Sequence, residues 1–228
     1  PEATYSENCI VQTTYVPDVN FELALQELGY DAGEPDHYVY TYDIARVDSL
    51  TVSGKEITDL TGIENFENLG FLNCSNNHID TLDLSSNANL TTLDCSNNQL
   101  KSLNVRNSHN TLMTTFNATG NPALTCIEVD DEMKANGGLA PYADWQKDAT
   151  AEYCSNCSLF GVQTYVPDDW FEGALISKGL DQGDLNDSVN ASVISRVTSL
   201  DVSTKYIRDL TGIEGFTALE ILNCASNF

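Results

Sequence analysis

The chain has 228 residues, with 34 acidic side chains against 10 basic ones and a net charge of -24. That balance argues against nucleic acid and anionic membrane surfaces as partners, because both are bound by clustered Lys and Arg. No apolar run approaches the roughly 20 residues that span a bilayer, so no membrane insertion is expected.

The sequence begins at Pro1 without a signal peptide, which reads as a processed or excised piece of a longer precursor. Residues 1–9 read as the tail of a preceding module or a linker, because residues 3–9 resemble residues 149–154. Residues 10–156 then read as one complete module. Asp18 is a candidate N-cap after Pro17, and Phe21, Ala24, Leu25 and Leu28 follow at helical spacing until Gly29. This predicts a cap helix over about 18–29, which would cover the open edge of the first coil. Residues 31–43 read as a polar loop.

Val47, Leu69 and Leu90 mark a period of 21 or 22 residues, predicting coils over about 47–129. Leu69, Leu72, Cys74 and Asn77 match Leu90, Leu93, Cys95 and Asn98, the spacing of the leucine-rich repeat. In Leu72-Asn73-Cys74 alternation points Leu72 and Cys74 inward and Asn73 outward. Asn77 and Asn98 sit where the chain turns and are expected to bond backbone of the neighbouring coil. Ile79, Leu82 and Leu84, then Leu100, Leu103 and Val105, carry the same beat at half the period. This half-period predicts short strands on both faces of a narrow solenoid. After a polar insertion at 106–110, Met113, Phe116 and Ala118 predict a strand on the face of Leu93. Leu124, Ile127 and Val129 predict one on the opposite face. Residues 130–154 read as a C-terminal cap with Trp145 as its apolar plug.

The module then repeats at an offset of 150 residues. Thr14-Tyr-Val-Pro-Asp returns at Thr164, Asp59-Leu-Thr-Gly-Ile-Glu at Asp209, and Leu72-Asn-Cys at Leu222. Residues 157–228 therefore read as a second, truncated module, with a cap helix over about 168–179 and coils from 197. The expected fold is a β-rich leucine-rich-repeat solenoid built of tandem duplicated modules, each with a helical N-terminal cap.

The cysteines sort by position. Cys74, Cys95 and Cys224 occupy inward repeat positions and are expected to be buried core thiols acting as small hydrophobes. Cys126 and Cys154 bracket the C-terminal cap, and a disulfide between them would constrain the unfolded chain by roughly 3 kcal/mol. Cys157 is an alternative partner, and Cys9 is expected to be an orphan of the missing preceding module. A disulfide implies an oxidising compartment.

The runs Tyr-Val-Pro-Asp, Asp-Leu-Thr-Gly-Ile-Glu, Leu72-Asn-Cys-Ser-Asn-Asn and Asn121-Pro-Ala-Leu-Thr-Cys-Ile-Glu-Val-Asp-Asp resemble secreted leucine-rich-repeat proteins of flavobacteria and other Bacteroidetes. The coils look like the nested 21-residue class of bacterial repeats and are distantly similar to the internalins. The resemblance implies an exported or cell-surface protein, and the internalin likeness implies protein binding on a strand face. It supplies no binding residue by motif.

No catalytic constellation is expected. His37, His78 and His109 stand in polar surroundings, none beside a nucleophile motif. No cofactor is implied. Asp181, Asp184 and Asp187 have oxygen-ligand spacing for calcium, but the sixth and twelfth positions of that loop are Asn186 and Ser192 rather than the Gly and Glu of an EF-hand. A solvated acidic loop is the better expectation, with no metal bound. The outward strand positions Phe71, Asn73, Thr92, Asp94, Thr115 and Asn117 are the candidate contacts for a protein partner in a recognition or adhesion role. Glycan binding and a structural spacer are the alternatives. The sequence shows no repeated aromatic platform, which counts against a glycan. Self-association through the open C-terminal repeat edge is also expected.

Overall fold

The computed structural model describes residues 12–159, 161–181 and 183–228. Cys9 and the expected tail at 1–9 lie outside the described residues. The chain divides into two compact units, Pro1–Tyr153 and Cys154–Phe228.

In chain order the first unit contains β1 (Thr13–Tyr15), α1 (Val19–Glu27), β2 (Tyr38–Tyr40), α2 (Thr41–Ile44), β3 (Ser49–Thr51) and β4 (Phe71–Asn73). Then come β5 (Thr81–Asp83), β6 (Thr92–Asp94), β7 (Ser102–Asn104), β8 (Thr115–Ala118), β9 (Cys126–Glu128), α3 (Glu132–Asn136), β10 (Gln146–Lys147) and β11 (Glu152–Cys154), whose last residue falls at the boundary of the units. Two sheets alternate along the chain, one of order β10-β8-β6-β4-β3 and one of order β11-β9-β7-β5. Strands β3, β4, β6, β8 and β10 run parallel, as do β5, β7 and β9. The half-period of the sequence is therefore the distance from one sheet to the other, and the architecture is a leucine-rich-repeat-like coil. Leu50, Leu72, Leu93 and Phe116 stand in one register row, and Leu103 lies opposite Ile127. All are buried, together with Cys74 and Cys95.

A ladder of asparagines closes each coil. Asn77 Nδ2 donates to Val52 O and Cys74 O, while its Oδ1 accepts from the backbone N–H of Lys55 and Ile57. Asn98 repeats this with Cys74 O, Cys95 O and the Ile79 N–H, and Asn121 with Cys95 O, Ala118 O and the Leu100 N–H. Each side chain thus satisfies backbone groups of two coils that burial removes from water. At the end of the five-stranded sheet Trp145 is buried and stacks on Phe116 with ring centroids 4.3 Å apart.

The second unit contains β12 (Gln163–Tyr165), α4 (Asp169–Ser177), β13 (Ser188–Asn190), α5 (Ala191–Ile194), β14 (Ser199–Asp201) and β15 (Ile221–Asn223). These elements repeat the order of β1 to β4. Gly62 and Gly212 explain one of the repeated motifs. Both have φ above 100°, and a Cβ at either would strike the carbonyl oxygen of Tyr15 or Tyr165, at 3.0 and 2.7 Å. Only glycine fits there.

Three expectations need correction. Residues 31–43 are not all loop, because Tyr38–Tyr40 pairs antiparallel with Thr13–Tyr15. The strand is legible as Tyr-Val-Tyr alternation, with Val39 buried and both tyrosines exposed. Leu28 does not lie on the buried face of the first helix. It is the C-cap and is exposed, and Glu22 takes the buried position instead. Cys224 is exposed rather than a core thiol. It comes just after β15, which among the described residues pairs with β14 alone, and Ile221 and Leu222 are exposed with it.

Candidate functional site

The six candidate contacts come together on the outward face of β4, β6 and β8. Phe71, Thr92 and Thr115 form one register row, and Asn73, Asp94 and Asn117 the next. Phe71 is the one large apolar side chain in these rows and is 37 % exposed.

The second row has work of its own. Asn73 Oδ1 accepts from Ser75 N and Oγ, Asp94 Oδ1 from Ser96 N and Oγ, and Asn117 Oδ1 from Thr119 N and Oγ1. Asp83, Asn104 and Asp201 make the same backbone bond at the ends of their strands. These are Asx turns that end each strand. One oxygen of each side chain is therefore structural, and only the remaining oxygen or amide is left to meet a partner. Serine and threonine two residues after an outward Asn or Asp are the sequence signal for this.

Sequence reasoning also missed the buried acids of the two longer helices. Glu22 is fully buried; its Oε1 accepts from the N–H of Asp36, and both its oxygens from the N–H of His37. Glu172 does the same for Asn186 and Asp187. The loop holding Asp181, Asp184 and Asp187 is thus held at Asn186 and Asp187 by the Glu172 carboxylate. Those three acids belong to no group of three ligand atoms within 4.8 Å among the described residues. His37, His78 and His109 belong to none either.

Asp18 and Asp168 join helix to coil. Asp18 Oδ1 accepts from Asn20 N and Phe21 N, capping α1, while Oδ2 accepts from Thr58 N, Thr58 Oγ1 and Asp59 N. Asp168 caps α4 through Trp170 N and Phe171 N and reaches Arg208 N and Asp209 N.

Cys126, Cys154 and Cys157 are each disulfide-bonded, and Cys74 and Cys95 are buried free thiols. Burial pushes Cys74 up to about 12 and Cys95 well above the usual thiol value, with Asp94 adding to both. Both shifts disfavour the thiolate form at neutral pH.

The second unit carries an aromatic surface that sequence reasoning did not find. Trp170 and Tyr206 have ring centroids 5.8 Å apart, and Tyr206 and Phe228 6.0 Å. The three come from positions 170, 206 and 228 and from different elements, so no local motif announces them.

No protein-family model and no curated protein matches the sequence. Among the described residues no helix is long and apolar enough to cross a membrane. Solved structures do match. One is the functional domain of InlJ from Listeria monocytogenes, which includes a cysteine ladder: 22 % identity, TM-score 0.40, over 95 % of this chain and 53 % of that one. The chain thus spans about half the length of that domain. An internalin, InlF, from Listeria monocytogenes matches at 18 % identity and TM-score 0.38, over 93 % of this chain and 77 % of that one. The chain is similar to internalins in its leucine-rich-repeat-like fold.

Proposed function

We propose that the protein is a non-catalytic extracellular recognition or adhesion module that binds a protein partner on the outward face of β4, β6 and β8. One observation carries this reading. The face is in register, its polar groups are small, and it holds a single partly exposed aromatic side chain, Phe71. Binding energy in such surfaces concentrates in a buried aromatic anchor ringed by near-neutral polar contacts. The three disulfide-bonded cysteines support an oxidising compartment, and so a secreted or cell-surface location.

The test is a binding screen of the whole chain against purified cell-surface proteins. The variant is Phe71→Ala with Asp94→Asn, because Asn keeps the oxygen that Ser96 needs and removes only the charge. The double variant is expected to lose at least tenfold in affinity with the midpoint of thermal unfolding nearly unchanged. Full affinity in the double variant overturns the reading.

A further inference from the structure

We propose that the second unit binds the pyranose rings of an acidic polysaccharide, carrying carboxylate or sulfate, in a groove between α4 and the loop after β14. The groove has a volume of about 650 Å³ and is lined by Trp170, Gly173, Leu185, Thr204, Lys205 and Tyr206.

The internal repeat is the control. The first unit has the same local fold but carries Asn20, Leu23, Pro35, Gly54, Lys55 and Glu56 at these positions. Three changes run against local structure. Leu23 becomes Gly173, and glycine inside a helix is less stable than leucine. Gly54, with φ 66°, becomes Thr204 at φ 57°, a β-branched residue in left-handed backbone. Glu56, itself at φ 60°, becomes Tyr206 at φ 65°, which puts a bulkier ring into the same left-handed backbone. Packing does not account for the two loop changes, because Thr204 is exposed and Tyr206 is 62 % exposed, and the neighbouring Trp170 and Leu185 are exposed as well. A Cβ at Gly173 would meet nothing nearer than Leu185 Cδ2 at 4.0 Å, so the missing side chain leaves open space. Unfavourable residues gathered on one exposed concave surface point to a ligand rather than to folding.

Charge selects the ligand. In the first unit Lys55 is paired with Glu27. In the second, Ser177 replaces Glu27, and Lys205 has no ion-pair partner among the described residues. Arg208 replaces Thr58 and stands over Phe228, 5.3 Å from the ring centroid. Lys205 and Arg208 therefore flank Tyr206 in the sequence, and the carboxylates of Glu27 and Glu56 are gone, while Asp169 replaces Val19, so on balance this rim is less acidic than its counterpart. Asp169 is the acid on the rim. The tilted pair of Trp170 and Tyr206, at 56°, offers two faces to the C–H faces of sugar rings. Lys205 meets the anionic substituent, and Asp169 accepts from ring hydroxyls. An acidic peptide brings no row of hydroxyls to Asp169.

The experiment is calorimetric titration of the whole chain with oligogalacturonate and with a sulfated galactan oligomer. Methyl-esterified oligogalacturonate supplies the same rings without charge, and polyglutamate supplies charge without rings. Saturable binding of at least one acidic glycan is expected, weakened tenfold or more by Trp170→Ala, by Lys205→Gln and by removing the anionic group. Gly173→Leu restores the residue of the first unit and fills the groove. It should abolish binding while leaving the unfolding midpoint equal or higher, which separates a blocked site from a damaged fold. Phe71→Ala should leave this binding intact, so the two sites succeed or fail separately. The proposal is overturned if neither acidic glycan binds, if Gly173→Leu binds as the parent does, or if polyglutamate binds as tightly with the same variant losses.

Discussion

At the scale of single residues, two carboxylates of each unit fasten a helix to its surroundings, and one of them titrates in an informative way. Burial pushes the Asp18 carboxyl up, but hydrogen bonds from Thr58, Phe21 and Asp59 outweigh that and hold it below its ordinary value. Asp168 behaves likewise, through Arg208, Phe171, Asp209 and Trp170. A depressed folded value means that the contribution to stability is complete above the unfolded value of about 3.9 and disappears as pH falls through the folded one. Asp18→Ala should cost about 1–2 kcal/mol at neutral pH, the scale of a lost N-cap with further bonds attached. Asp18→Asn keeps one acceptor but not the charge, and should flatten the loss of stability below pH 4. Urea unfolding between pH 6 and 2 reads both, and an Asn variant with the parent's acid dependence would refute the assignment.

At the scale of elements, the coil was legible because one inward side chain per strand repeats at a fixed beat, and Leu72, Leu93 and Leu103 fall where that beat puts them. Less legible were features whose cause lies far away in sequence. Glu22 looks like a solvated helix residue until the N–H groups of Asp36 and His37 are seen to need it. Asn73 and Asp94 look like ligand-facing polar groups until Ser75 and Ser96 claim one oxygen of each. Cys74, Cys95 and Cys224 share one repeat position, yet neighbouring strands decide their fate. Cys74 and Cys95 are covered on both sides, and Cys224 is exposed. Native protein at pH 8 should therefore label at Cys224 with an alkylating reagent, and at Cys74 and Cys95 only on unfolding. Peptide mapping after a short pulse measures this, and prompt modification of Cys95 would mean that the coils open far more readily than their packing allows.

For the molecule as a whole, charge is the dominant unresolved force. Thirty-four acids face ten bases, so even if every base paired with an acid most of the acids would have no basic partner. Most of the acids therefore repel one another through solvent, and folding brings them closer together. The range of that repulsion falls from about 30 Å at 0.01 M salt to about 3 Å at 1 M. Sodium chloride should accordingly raise the unfolding midpoint of the chain by about 5 °C or more across that span, a few kcal/mol for a protein of this size. If two transitions appear, as two compact units allow, both should move. Calcium chloride at matched ionic strength should give the same rise, since Asp181, Asp184 and Asp187 are not gathered around a common point. An excess with calcium would reveal a cation site that the geometry does not show, and a flat or falling midpoint would mean that the acids are already neutralised within the fold.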